Sequence, residues 1–262
     1  MRAKLGQHFL SSGQIAKKIA DLANLSKNDA VLEIGPGKGI LTEHLLEKAG
    51  KVIAVEKDER LSRFLKEKFS GAKNFKLINA DIRDVLKNPT SYKLKAKSYK
   101  VVANIPYYLT SFLFRLLLEK SRIKPEKIVV MIQKEVAQRI CAKPPQINLL
   151  ALSILAYGKP KIAFFVKKGS FSPPPKVDSA VLVIDDISSD FFEKNKIKEK
   201  DFFEFLRLGF SHKRKTLTNN LAKKYGKSEI KNVLRDCDLN KNIRPQNLFL
   251  KDWRYIYGKI NK

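Results

Sequence analysis

Cysteine is nearly absent from this 262-residue chain. Cys141 and Cys237 stand far apart, without the paired spacing of a zinc site or the density of a disulfide scaffold, and both read as reduced thiols. His44 and His212 have no ligand-like spacing, so no metal is expected. No run reaches the roughly 18 consecutive apolar residues of a membrane span. The opening MRAKLGQHFLSS lacks an apolar core of signal-peptide length, so the expected location is the cytoplasm and no membrane partner is expected. Internal repeats and low-complexity tracts are missing as well.

Acidic residues are also scarce. Aspartate and glutamate number 26 against 53 lysines and arginines, a formal net charge of +27. A folded chain tolerates that self-repulsion most readily when its partner is a polyanion; nucleic acid leads and an acidic membrane surface follows. What is present suffices for a core: 44% of residues are hydrophobic and 30% charged, which excludes disorder throughout. The length allows one large domain or two unequal ones.

From Ala30 onward, short β-branched runs alternate with helical patterns. VLEI (31–34), VIAVE (52–56), FKLINAD (75–81), KVVANI (100–105) and KIVVMIQ (127–133) read as strands. ILTEHLLEKAG, ERLSRFLKEKF, SFLFRLLLEK and KEVAQRICA read as the intervening helices. That order implies an α/β fold with a parallel sheet covered on its faces. KIAFFV (161–166) and SAVLVID (179–185), joined by a proline-rich loop, are expected as an antiparallel pair completing seven strands. After Asp185 the strand signal stops and four short helices follow. The expected domains are therefore 1–187 and 188–262. The tail from 185 carries a net +8 and the preceding part +19, nearly equal excesses per residue, so both parts are expected to face the same polyanion.

EIGPGKG places Gly35, Gly37 and Gly39 between a strand and a helix, where missing side chains let a ligand approach the backbone and the amides of a helix N-terminus. The nicotinamide fingerprint would need glycine at Ile40, and the Gly-Lys-Ser/Thr of a phosphate loop is absent, which disfavours a pyrophosphate ligand. Glu56 ends the second strand, where a carboxylate can accept hydrogen bonds from both ribose hydroxyls; Asp81 is expected to end the third and to hold an adenine amino group.

NIPYY follows the fourth strand. Asn104 offers a side-chain carbonyl, Ile105 a backbone carbonyl freed because Pro106 cannot donate a ladder bond, and Tyr107 a flat face. Two acceptors of this kind can grip an exocyclic amine. Adenine N6 is a poor nucleophile because its lone pair is delocalised into the ring; holding its hydrogens favours the tetrahedral geometry needed for attack, with neither metal nor strong base.

HFL, EIGPGKG, VIAVEKD, NAD, ANIPYY, FSPPPKVDSAV and FSHKRKTLTNNL, in that order and over essentially the whole chain, resemble the ribosomal RNA adenine dimethyltransferase family, and within it the small-subunit branch. The resemblance implies a Rossmann-like, seven-stranded S-adenosylmethionine-dependent methyltransferase domain followed by a small all-α RNA- or ribosome-binding domain. It implies transfer of two methyl groups to N6 of each of two adjacent adenosines near the 3′ end of 16S ribosomal RNA, in a monomer acting on a pre-30S-like particle. By the same resemblance, His8 and the Leu10 backbone lie near the cofactor's methionine end and Gly35 beneath the cofactor. Glu56 is on its ribose, and Asp81 with Ile82 at its adenine. Asn104 serves both cofactor and reacting amine, and Phe171 stacks on the target adenine opposite Tyr107. Position 8 is His where many relatives have Asn, and AKPPQINLLALSILAYG departs from the Gly-rich pattern of many relatives.

A base inside folded RNA must be unstacked to react, which favours unpaired loop adenosines. Phosphate contacts are expected from Arg2 and Lys4 on the N-terminal arm and from Lys213, Arg214 and Lys215 at the opening of a tail helix. Two alternatives stand beside this reading: a large-subunit ribosomal RNA adenine methyltransferase, and a non-catalytic nucleic-acid-binding factor of the same fold.

Overall fold

Valine and isoleucine concentrate in the segments that pair into one sheet. The computed structural model describes residues 8–87, 99–106, 109–121 and 123–261. Its strands are β1 (Phe9–Leu10), β2 (Ala30–Ile34), β3 (Lys51–Glu56), β4 (Phe75–Asn79), β5 (Lys100–Asn104), β6 (Lys127–Gln133), β7 (Lys159–Val166), β8 (Phe171–Ser172) and β9 (Ser179–Asp185). Seven of them form a sheet in the order β4-β3-β2-β5-β6-β9-β7. The pairs from β4 through β6 are parallel, and β9 runs antiparallel to both β6 and β7. The inner strands are buried on both faces: Val31, Leu32, Val101, Val102, Val129 and Val130 are all essentially inaccessible. Continuous rather than alternating apolar runs are what a parallel sheet covered on both sides requires.

Strand order reverses between β2 and β5. In open α/β sheets a ligand crevice opens at that point, beyond the carboxyl ends of the strands.

The helices are α1 (Gly13–Leu22), α2 (Ile40–Lys48), α3 (Glu59–Lys68), α4 (Ile82–Lys87), α5 (Thr110–Phe114), α6 (Lys134–Ile140), α7 (Leu149–Leu155), α8 (Asp190–Lys194), α9 (Glu199–Gly209), α10 (Leu217–Tyr225), α11 (Lys227–Asp236) and α12 (Leu250–Ile260). Helix α5 continues through Lys120 with a wider, π-helical winding. Five features among the described residues carry no expectation from the sequence: α1, α4, α7, α8, and the two-stranded ladder of β1 with β8. Helix α1 starts at Ser12, whose hydroxyl accepts from Ile15 N–H, and buries Ala16, Ile19 and Ala20. Two of those three are alanines, which contribute little to a hydrophobic period while allowing close packing.

The chain divides into two compact units, Met1–Ala137 with Gly158–Ser188, and Gln138–Tyr157 with Ser189–Lys262. Residues 138–157 therefore do not group with the sheet, where a boundary at 187/188 places them. Their attachment is aromatic: Tyr157 stacks on Phe203 at 5.9 Å, tilts against Phe192, and donates its hydroxyl hydrogen to Glu199 at 2.8 Å. Around them Phe202, Phe205, Trp253 and Tyr257 complete the core of the second unit. No helix among the described residues is long and apolar enough to cross a membrane.

Candidate active site

The glycine turn after β2 is left-handed at three positions, with φ of +66° at Gly35, +61° at Gly37 and +79° at Gly39. Any other residue there would be strained. Gly39 caps α2 without a side-chain hydrogen bond, so side-chain bulk is absent where the first-turn N–H groups need partners. A cavity of about 450 Å³ opens over this turn, bounded by Gly35, Gly37, Glu56, Asp81, Asn104 and Phe171, and lined also by His8, Leu10, Ile82, Ile105 and Pro106.

Glu56 is the last residue of β3 and only 7% exposed. Its Oε2 accepts the Gly37 N–H at 3.3 Å and its Oε1 the Asp58 N–H at 2.9 Å. Burial pushes the carboxyl above its usual range, against the pull of those backbone donors. The Lys57 N–H is also directed at the group, and since a carboxylate has about four lone-pair sites it keeps capacity for a further donor.

Asp81 departs from its expected placement. Strand β4 stops at Asn79, whose amide donates to the Glu56 carbonyl and the Ser62 hydroxyl, and Asp81 caps α4 instead of ending the strand. Its Oδ1 accepts the Arg83 N–H and Nε–H, both at 2.9 Å; its Oδ2 accepts Arg83 Nη2 at 2.6 Å and Lys57 Nζ at 3.0 Å. The Arg83 guanidinium, joined by Lys57, holds the carboxyl far below the carboxylate range. All four acceptor sites are thereby taken, and an incoming amine must displace one donor. Lys57 is the candidate: its side chain is 66% exposed and can swing into solvent, whereas Arg83 holds Asp81 through three hydrogen bonds.

The tip of β5 is tied into the sheet by Ile105 N–H donating to Met131 O at 3.1 Å. Ile105 is buried, and the Pro106 ring lies against the Gly35 backbone, 3.7 Å from where a Cβ would stand. On the other wall His8 Nδ1 lies 2.9 Å from Pro173 O. A carbonyl can only accept, so Nδ1 carries the proton. Leu10 and Phe171 are both buried at the cavity wall. Tyr107, Arg2 and Lys4 lie outside the described residues. Lys213, Arg214 and Lys215 are exposed in the turn before α10 rather than in its first turn, because Thr216 supplies the cap.

Glu33 is a cavity residue that carried no expectation. It is 1% exposed, its Oε2 accepts the Thr42 hydroxyl at 2.8 Å, and its Oε1 has no hydrogen-bond partner among the described residues. Desolvation, with Glu56 adding like charge, pushes its carboxyl up to about 8. The available signal was an acid inside the apolar run VLEI, immediately before the glycine turn.

The family described as ribosomal RNA adenine dimethylase matches residues 1–262. The chain is 44% identical over 257 residues to the Ribosomal RNA small subunit methyltransferase A of Dehalococcoides mccartyi strain BAV1, covering 97% of this chain and 87% of that protein. It is 38% identical over 250 residues to the protein of the same name from Fusobacterium nucleatum, covering 94% and 92%. Among solved structures, a dimethyladenosine transferase from Plasmodium falciparum superposes with a TM-score of 0.78 at 28% identity, over 97% of this chain and 98% of that one. The 23S rRNA methyltransferase ErmE shares the fold, with a TM-score of 0.75 at 24% identity over 97% and 100%. With the Rossmann-like methyltransferase sheet and a full-length match in hand, the chain belongs to the ribosomal RNA adenine dimethylase family.

Proposed function

We propose that this protein methylates N6 of two adjacent adenosines near the 3′ end of small-subunit ribosomal RNA, using S-adenosylmethionine and giving N6,N6-dimethyladenosine. It would act in the cytoplasm, as a monomer on a partly assembled small subunit, with a role in that subunit's maturation. The second unit would serve as the RNA- or ribosome-binding part.

The observation that carries this reading is the convergence of Gly35, Gly37, Glu56, Asp81, Asn104 and Phe171 on one cavity. Its residues fit the cofactor. The turn at Gly35 and Gly37 bares backbone to a ligand, Glu56 keeps acceptor capacity for a ribose hydroxyl, and the buried Glu33 Oε1 has no hydrogen-bond partner among the described residues. His8, Leu10 and Ile82 would complete that surface. When bound, S-adenosylmethionine supplies an electrophilic sulfonium methyl.

The protein's part is to hold the nucleophile. The Asn104 side-chain carbonyl and the Ile105 backbone carbonyl would accept the N6 hydrogens, turning the nitrogen lone pair out of conjugation. Pro106 keeps that tip fixed, and Phe171, with Tyr107, would cover the purine faces; aromatic stacking contributes about 1 to 3 kcal/mol per base. The amine proton becomes acidic only as the N–C bond forms and the C–S bond breaks, so solvent suffices as its acceptor.

The test is incubation with isotopically labelled S-adenosylmethionine and small subunits lacking the modification, followed by mass spectrometry of the RNA. Label on N6 of neighbouring loop adenosines is expected. Label confined to large-subunit RNA would reassign the branch, and cofactor binding without transfer would make the protein a non-catalytic RNA-binding factor.

A further inference from the structure

Phe165 is 52% exposed, the most exposed of the large apolar side chains among the described residues. A single exposed phenylalanine is ordinary; its surroundings are not. It lies near the carboxyl end of β7, paired with Ala180 of β9, and Lys134 Nζ stands 5.1 Å over its ring. Lys134 follows directly on β6 and donates its backbone N–H to Asp178 O at 3.0 Å, which joins the two strand ends. Lys167 and Lys168 follow next in the chain and Lys176 flanks the same turn, all exposed.

This cluster stands on the cavity's side of the sheet. Asn104 pairs with Met131 near the carboxyl end of β6, and Lys134 is the first residue past that end, three positions further along the chain. Phe171, on the cavity wall, is six residues beyond Phe165. The acid within the cluster, Asp178, accepts the Lys168 N–H at 3.0 Å and Lys167 Nζ at 3.4 Å. The Lys167 side chain is 86% exposed, and an exposed pair of that kind gives way readily to a phosphate.

We infer that Phe165, with Lys134, Lys167 and Lys168, forms a binding site for an unpaired nucleotide flanking the target adenosine: the base stacks on the Phe165 ring and its phosphates meet the lysines. The inference rests on the proposed RNA substrate and extends it to a second base platform outside the cavity. A lysine above an aromatic face is suited to this exchange. It screens the ring from water while the site is free and turns to a phosphate when a base takes its place. Charge complementarity selects the occupant, since the cluster sets Lys134, Lys167, Lys168 and Lys176 against the one acid Asp178 and the whole chain carries +27.

The test uses the full chain and a short RNA hairpin with two adjacent loop adenosines, one neighbour replaced by 2-aminopurine. Phe165→Ala is expected to raise the dissociation constant about 5- to 100-fold and to abolish the stacking quench. Phe165→Trp should restore both, and S-adenosylmethionine affinity, read by calorimetry, should stay at the wild-type value. Lys134→Ala should lower the salt slope by about one, with Lys134→Arg as rescue. Wild-type binding and quench in Phe165→Ala would overturn the inference while leaving methylation of small subunits to support the proposed function separately. Loss of binding to intact subunits alone, with the hairpin unaffected, would assign the ring to a ribosomal protein and overturn it too.

Discussion

Leu10 and Phe171 are partners in a two-residue antiparallel ladder, with Phe9 opposite Ser172. The Ser11 N–H and hydroxyl both donate to Ser170 O at 2.9 Å, and the His8 Nδ1–H donates to Pro173 O at the same distance. The segment of His8 and Leu10 and the segment of Phe171, proposed to face the cofactor and the base respectively, are thus laced into one piece, so displacing either should move the other.

His8→Ala removes one of these lacing bonds, a net contribution of about 0.5 to 1.5 kcal/mol. Both ends of the site should feel it. A several-fold loss is expected in S-adenosylmethionine affinity by calorimetry and in kcat/KM toward RNA by methyl incorporation. A loss in only one of the two would mean that the ladder does not couple them.

Gly37→Ala meets two obstacles. Its φ of +61° is strained for alanine, and the new Cβ would stand 3.0 Å from the Phe9 ring. The strain costs on the order of 1 to 3 kcal/mol, and displacement of Phe9 reshapes the cavity wall. Thermal unfolding should fall by several degrees and cofactor affinity by about tenfold or more. Gly13→Ala, with nothing within 4 Å and no left-handed φ, is the control and should leave both unchanged or slightly improved.

The five inner strands were legible because burial on both faces demands unbroken runs of valine and isoleucine, and the half-exposed edge strands β4 and β7 were legible from their short β-branched and aromatic runs. Glu56 was legible for a related reason: it ends such a run and the next residues turn polar. Asp81 was misplaced by two residues, since nothing in FKLINAD marks Asn79 as the residue that spends its amide on the Glu56 carbonyl and stops the strand. Alanines hid α1, and Tyr157 drew 138–157 toward the helical unit through ring contacts that only the folded chain brings together. Glu33 escaped notice because an acid within a strand looks incidental until its burial is known.

That burial gives Glu33 a measurable signature. Below about pH 4.5 the carboxyl is protonated in folded and unfolded chains alike. As pH rises, the unfolded chain ionises while the folded one keeps its proton up to about 8, so this group's contribution to stability declines across that window. Glu33→Gln retains an acceptor for the Thr42 hydroxyl and cannot ionise. Urea unfolding without cofactor should show the variant gaining on wild type steadily from pH 5 to pH 8. A constant difference would mean that Glu33 is ionised in the folded protein.

Asn104 and Glu56 should separate chemistry from cofactor binding. Asn104→Ala deletes one acceptor for the amine and should reduce single-turnover methyl transfer by at least about a hundredfold while retaining some cofactor affinity. Glu56→Ala removes the acceptor from the Gly37 and Asp58 N–H groups, so its first effect should be weaker S-adenosylmethionine binding. Normal turnover in Asn104→Ala would disprove the proposed grip on N6.

Lys213, Arg214 and Lys215 make a claim on the second unit that salt can test. Each is exposed in the turn before α10, and a phosphate contact releases counterions, so the logarithm of the binding constant falls linearly with that of salt concentration. Replacing all three by alanine should weaken binding to small subunits and flatten that slope by about 2 to 3, since single-stranded contacts release somewhat fewer ions than duplex ones. The cofactor affinity, set by the cavity, should not change. A slope identical to wild type would remove these three residues from the RNA surface, whatever the overall affinity did.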